Sequence, residues 1–383
     1  MKNIDKNIVM LGMVSFFTDM ASAMINPILP IFVVSILQEG MDKLGIIVAA
    51  ATFVSYALRL ISGYISDKYG IVKPLVVSGY ALSAISKPLV GFSGGYKSVA
   101  ALRAFERLGK ALRSAPKDLI IANYSVKKHS GRTFGFHKTL DIAGELGGTL
   151  LLFGILFLYG GGEEVIRNVF YLTLIPGLIG LFIVAFFVKD VKKDVKKSVK
   201  FNFTKRDIKT VKSLFFYFFF IFFVFNEAFF TIQAKSIGIA TAVIPLLFVV
   251  STGIQTLTSY TLGIWIDKIG TEKIMLFAYL SAVLALLFLY LKEPLFTWMA
   301  YGFLGLFSVS SLNANRSLIA TRSDNKGSVY GIFYAGVALF GALGAYVCGL
   351  VWEYFDLNGA LLFSIGGSVF VLILFLIKNF RYG

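Results

Sequence analysis

The chain has 383 residues, 57% of them hydrophobic and only 15% charged, with a mean hydropathy of +0.78, which excludes an ordinary water-soluble domain. A formal net charge of +16 would suit nucleic acid, but the basic residues cluster between apolar runs, as in polytopic membrane proteins, so no nucleic-acid partner is expected. One cysteine, Cys348, and two histidines exclude a disulfide framework and leave few ligands for a metal; no metal and no cofactor are expected.

Apolar runs recur at the length that crosses ~30 Å of hydrocarbon as a helix. They predict about twelve spans. The first half gives 8–37, 44–66, 74–93, 97–116, 133–159 and 167–188. The second half gives 211–234, 240–264, 274–291, 295–318, 329–352 and 358–378. The first run is long and lacks a small-residue cleavage pattern, so it reads as a retained span rather than a cleaved signal. The fold class is all-α membrane protein, with six-helix halves at 1–188 and 211–383. The basic linker 189–210 between them suits contact with anionic lipid. Phenylalanines such as those of Phe215–Phe225 suit lipid-facing surface.

Most of the 37 basic residues fall in the termini and in alternate connections, including Lys68, Lys73, the segment from Lys110 to Lys138 and the linker. Only Lys43, Lys97, Arg167, Lys235 and Lys292 lie on the other side. This asymmetry predicts cytoplasmic termini and a multi-pass protein of a bacterial-type inner membrane. Arg59, Lys87, Arg103 and Arg107 fall within spans.

The halves echo each other. Residues 63–73 read GYISDKYGIVK and 263–273 read GIWIDKIGTEK, so Gly63, Asp67, Gly70 and Lys73 recur as Gly263, Asp267, Gly270 and Lys273. A second echo matches Gly131, Gly135 and Gly148 with Gly327, Gly331 and Gly344. Both keep span number and direction, so the halves are parallel repeats.

At Gly63–Lys73 the chain resembles the major facilitator superfamily, whose loop signature is G-x-x-x-D-x-x-G-[RK]. Ile71 stands at the following basic position, and Lys73 supplies a charge two residues on. The fourth span is similar to a second family motif, R-x-x-Q-G-x-G-x-A, through Arg103, Gly109 and Ala111; Glu106 and Arg107 replace the glutamine and first glycine. The fifth span resembles the glycine motif of proton-driven exporters through Gly135, Gly144 and Gly148, with Glu145 at its proline. Arg107, Gly109, Lys110, Arg113, Pro116, Lys117 and Asp118 further resemble a bacterial subgroup reading R-x-G-K-x-x-R-x-x-P-R-D. The resemblance implies two six-helix bundles around a central site and alternating access by a monomer in the bilayer. It implies a cytoplasmic gate at Gly63, Asp67, Gly70 and Lys73, echoed at Gly263, Asp267 and Gly270, with Arg113 as a partner for Asp67.

Charge inside a span is costly unless it faces a partner or a water-filled path, which makes it a candidate functional site. On the fourth span Arg103, Arg107 and Lys110 share one face, and Glu106 sits three residues from Arg103 and four from Lys110. On the fifth, His137, Asp141 and Glu145 share a face; their counterparts Phe333, Val337 and Gly341 are uncharged. Asp19 and Asn26 add polarity to the first span, Arg59 to the second and Glu227 to the seventh. His137 reads as a polar residue at the cytoplasmic edge. Two readings stay open. In one, Arg103 and Arg107 neutralise Asp141 and Glu145 as a structural ion-pair network. In the other, a carboxylate shielded from water exchanges a proton in step with substrate, driven by the proton gradient. Proton-coupled export of a small organic compound is the expected activity. Uptake or facilitated diffusion of an organic ion, and a membrane sensor or intramembrane enzyme, are the alternatives. An enzyme is not expected, because the G-x-S-x-G run at Gly91–Gly95 follows a helix and no strand precedes Gly109-Lys110.

Overall fold

Hydropathy sets how long each span is; caps, proline and glycine decide where it stops or breaks. The structure, a computed structural model, describes residues 5–125, 130–191 and 203–382, with the backbone alone at 60, 63, 64, 67, 68, 130–132 and 379–382. Residues 192–202 of the basic linker lie outside this range. Contacts divide the chain into two units, Met1–Gln38 with Ala50–Val199, and Glu39–Ala49 with Lys200–Gly383. The first holds α1 (Lys6–Ile25), α2 (Leu29–Ile31), most of α3 (Met41–Tyr69), α4 (Lys73–Leu89), α5 (Tyr96–Tyr124), α6 (Ser130–Tyr159), α7 (Glu163–Leu172) and α8 (Leu174–Phe186). The second holds α9 (Lys205–Phe223), α10 (Glu227–Ser236), α11 (Ile244–Ile269), α12 (Thr271–Tyr290), α13 (Pro294–Arg322) and α14 (Lys326–Tyr382). No strand occurs among the described residues.

Among the described residues, ten stretches are long and apolar enough to cross a membrane. α5 is not among them, because its charges break the apolar window, although its 29 residues are long enough. The last stretch, Lys326–Lys378, has 53 residues, about twice what one crossing needs. It breaks at Asp356, where φ is 66° and ψ is −176°, and the Asp356 carboxylate accepts the Gly359 N–H at 2.9 Å to start the second crossing.

The first and seventh spans are interrupted in a way hydropathy does not reveal. α1 ends at Asn26, followed by Pro27, whose missing N–H does not continue a helix. α9 ends before Asn226, whose side chain accepts the Ala228 N–H at 3.0 Å and caps α10. Asn26 and Asn226 are separated by the same offset as the loop echo, so the break belongs to the repeat.

Within the first unit α1 packs on α6 and α8, and α4 on α5 and α8. A Cβ at Gly144 or Gly148 would strike the carbonyl oxygen of Phe16 or Met20, so these two glycines let α6 meet α1 backbone to backbone. Gly344 does the same against Phe222 on α9, which gives the glycine echo a packing role in both units. Gly135 does not share it: nothing lies within 4 Å of where its Cβ would sit. Gly79 and Gly109 face each other where α4 crosses α5.

The second unit has an aromatic interior, which corrects the lipid-facing expectation for Phe215–Phe225. Phe218, Phe220 and Phe225 are buried, while Phe215 and Phe219 are exposed. Phe220 stacks on Tyr279 with ring centroids 4.0 Å apart, and Phe225 stacks on Trp352. The helix period turns part of the run inward. The first turns of α3 also belong to this unit: Met41 N–H donates to Glu353 Oε2 at 2.7 Å, and Gly45 lies against Gly349.

Candidate functional site

The polar residues of the first unit gather on α1, α4, α5 and α6. Along α5, Arg103, Arg107, Lys110, Ser114 and Lys117 recur every three or four residues, so they form one stripe. Ser15, Asp19, Ser22 and Asn26 form a stripe of the same spacing on α1. The stripes meet at two points. Arg103 Nη2 donates to Asn26 Oδ1 at 3.4 Å, and Lys117 Nζ donates to Ser15 Oγ at 3.2 Å.

Glu106 is the buried counter-charge of α5, with its side chain 2% exposed. Its Oε2 lies 2.9 Å from Arg103 Nη1 and 3.4 Å from Arg107 Nε. Arg103 is similarly buried, whereas Arg107 is 22% exposed. Their contacts with Glu106 are close ion pairs rather than aligned hydrogen bonds, because Arg103 Nη1 and Glu106 Oε2 both lack a hydrogen-bond partner. Arg103 and Arg107 therefore neutralise a carboxylate on their own helix. They make no ion pair with Asp141, as one sequence reading had it, because Glu106 lies one turn away and needs no second helix.

A second cluster surrounds Ser15. Its Oγ lies 3.1 Å from His137 Nε2, 3.2 Å from Lys117 Nζ and 3.5 Å from the Tyr80 hydroxyl. His137 Nδ1 lies 3.3 Å from Asp141 Oδ1, and Lys138 Nζ stands 4.0 Å from Oδ2. Asp141 Oδ1 is buried and receives no hydrogen bond. His137 is 4% exposed, so it is a buried group. The close α1–α6 packing through Gly144 and Gly148 brings Ser15 to it. Lys117, as an ammonium, only donates. Ser15 Oγ accepts that proton and lies within hydrogen-bond distance of His137 Nε2, a ring nitrogen that donates or accepts according to its tautomer.

Four cluster members were not singled out from sequence as site residues: Ser15, Tyr80, Lys87 and Lys117. Lys87 is 1% exposed on α4 and donates to the Thr18 carbonyl at 3.0 Å. It makes no ion pair among the described residues. Lys117 had a legible signal, since it continues the α5 stripe by seven residues; Lys87 had one in being a lone charge on the third span. Arg113 turns the other way. It lies over the Tyr80 ring at 4.4 Å and donates Nη1 to the Gly79 carbonyl at 3.2 Å and to Ser83 Oγ.

The gate candidates are placed unevenly. The side chain of Asp67 and the surroundings of Gly63 lie outside the described residues, and with them the Asp67–Arg113 clasp. Gly70 has φ 67° and Gly270 φ 92°, so both loops turn on a backbone that glycine adopts without strain. Lys73 Nζ donates to the Ala185 carbonyl at 2.8 Å, near the C-terminus of α8, which fixes α4 to α8 within the unit. Gly263 meets nothing within 4 Å, and Asp267 is exposed. Arg59 lies over the Tyr56 ring at 5.6 Å. Glu145 is half-buried on α6, one turn beyond Asp141, and Glu227 opens α10 at the break in the seventh span.

In the second unit the counterpart of His137 is buried Phe333, stacked against Tyr217. A cavity of about 830 Å³ at one end is lined by Lys209, Lys212, Lys273, Arg322 and Lys378 over an apolar wall that includes Tyr279 and Phe375. Arg322 pairs with Glu272 there, and the lysines form the ordinary basic belt of a membrane face. Among the described residues no group of three or more histidine, cysteine, aspartate or glutamate side chains is arranged to hold a metal.

Residues 11–234 match the model of the Major Facilitator Superfamily. An uncharacterized MFS-type transporter of Methanocaldococcus jannaschii is 29% identical over 97% of this chain and 96% of its own length. Among solved structures, the nucleoside transporter NupG superposes with a TM-score of 0.78 at 14% identity, covering 99% of this chain and 100% of that one. A POT family transporter in complex with a thioalcohol-conjugated peptide gives 0.82 at 10% identity, covering 98% and 96%. Such low identities speak to the fold alone. Apolar helices, the repeat and the match over more than half the chain agree: this is a multi-pass membrane transporter belonging to the Major Facilitator Superfamily.

Proposed function

We propose that the chain is a secondary active transporter that moves a small organic solute by alternating access and couples the movement to protons. The observation that supports coupling is the run Asp141–His137–Ser15. A buried carboxyl oxygen without a donor lies 3.3 Å from an imidazole, which contacts a hydroxyl that also binds an ammonium. Every member can hold or pass a proton, and all are interior to one unit. A protonated Asp141 becomes a donor toward its neighbours. An ionised one leaves its buried Oδ1 dependent on His137, with Lys138 beside Oδ2. Export is the proposed direction, resting on the exporter-like glycines Gly144 and Gly148. The proposed location is the cytoplasmic membrane, with both termini inside.

Asp141→Asn and His137→Gln keep size while removing the exchangeable proton. In proteoliposomes with an imposed pH gradient, both variants are expected to lose gradient-driven accumulation while retaining solute counterflow. Gradient-driven accumulation at the wild-type level in both variants refutes proton coupling through this run.

A further inference from the structure

We infer that the transported solute is an organic anion, best matched by two negative charges, held between the polar stripes of α1 and α5. This assignment rests on the transport reading above and names its substrate class. The stripes are joined at their ends by Asn26–Arg103 and Ser15–Lys117, at 3.4 and 3.2 Å. Between those contacts α1 offers Asp19 and Ser22, and α5 offers Arg107 and Lys110.

The charges in this space do not balance. Glu106 is consumed by Arg103 and Arg107 on its own helix. Asp141 lies against His137 and Lys138 on α6. Lys110 is only partly buried and makes no ion pair among the described residues. Lys117 is held by a neutral hydroxyl, and Lys87, behind the stripes on α4, by a backbone carbonyl. Asp19 acts electrostatically on Lys87, Lys110 and Lys117 alike and can neutralise only one of them. Counting Arg113, which acts electrostatically on Lys87 and Lys110, and Lys138 with the cations, and Asp118 beside Lys117 and Glu145 with the anions, seven cations stand against five anions, an excess of two positive charges. Cations inside a membrane require a counter-charge. Arg103 Nε, buried with no hydrogen-bond partner, is a donor still to be satisfied. A solute with two anionic groups, such as a dicarboxylate or a phosphate monoester, supplies both needs, with Arg107 and Lys110 as its nearest anchors.

The test melts the purified full-length protein in detergent at fixed ionic strength. The probes are succinate, glycerol 3-phosphate and inorganic phosphate, with succinamide, glycerol and putrescine as neutral and cationic counterparts. Dianions are expected to raise the melting temperature and their counterparts not to. Lys110→Gln and Lys117→Gln are expected to weaken the apparent affinity roughly tenfold or more, the effect of losing one charged hydrogen bond, with Lys110→Arg restoring most of it. Should a variant fail to fold, protection of wild-type Lys110 from acetylation by the same dianions is the equivalent readout. The assignment is overturned by stabilisation from neutral or cationic compounds alone, by none from any anion, or by anion binding undiminished in both glutamine variants. Counterflow in proteoliposomes separates the two claims. Flux of a neutral solute without anion binding removes the anion and leaves transport, whereas anion binding without flux of the bound anion removes transport and leaves the anion site.

Discussion

Replacing Glu106 by glutamine changes one charge and almost no volume, so its cost reports directly on the ion pairs of α5. The wild-type carboxylate is 2% exposed and lies 2.9 Å from Arg103 and 3.4 Å from Arg107. Removing one partner of a buried pair and leaving the other charged costs about 3–5 kcal/mol. Arg107 is 22% exposed and can regain water, so the penalty falls on Arg103, at 5%, together with the loss of its short contact. Glutamine keeps an acceptor oxygen, which places the expected loss near the lower end, about 3 kcal/mol. At about 2–4 °C per kcal/mol for a unit of this size, the melting temperature should fall by roughly 6–12 °C. Thermal unfolding of the detergent-purified variant measures it. Arg103→Met combined with Glu106→Leu should recover most of the loss, because a well-packed apolar pair removes both buried charges together. A Glu106→Gln variant whose melting temperature matches that of wild type would refute the reasoning, since it would mean the pair is hydrated rather than buried.

Three further substitutions separate buried charge from packing. Lys87→Met should be neutral or stabilising within about 1 kcal/mol, because Lys87 makes no ion pair among the described residues and Ser22 Oγ also donates to the Thr18 carbonyl; a loss as large as that of Glu106→Gln would show an anionic partner. Gly148→Ala should cost about 1–3 kcal/mol, since its Cβ would strike the Met20 backbone. Gly135→Ala, with nothing within 4 Å, should instead gain about 0.5–1 kcal/mol from helix propensity. Equal melting temperatures for the two alanine variants would contradict the α1–α6 contact.

The sequence alone was enough for whatever depends on one helix at a time. Length and hydropathy identified membrane-crossing helices, and the repeat offset paired loops and glycines across the halves. Spacings of three and four residues placed Arg103 with Glu106 and His137 with Asp141, because residues so spaced are neighbours on any α-helix. The loop glycines Gly70 and Gly270 were legible for the same local reason. What it left undecided were the partners of each stripe and the inward or outward sense of each face. Gly135 and Gly148 belong to one motif, yet only one of them meets another helix. Lys117 and His137 lie 102 and 122 residues from Ser15, and no periodicity within a helix specifies a contact at that separation. The contact of Ser15 with His137 exists because Gly144 and Gly148 allow α6 to approach α1 closely enough for a serine to reach a histidine. The same packing surrounds Asp141, His137 and Lys117 with apolar helix and turns ordinary side chains into a buried polar site. The charge was written in the sequence; its burial and its imbalance were decided by how the helices pack.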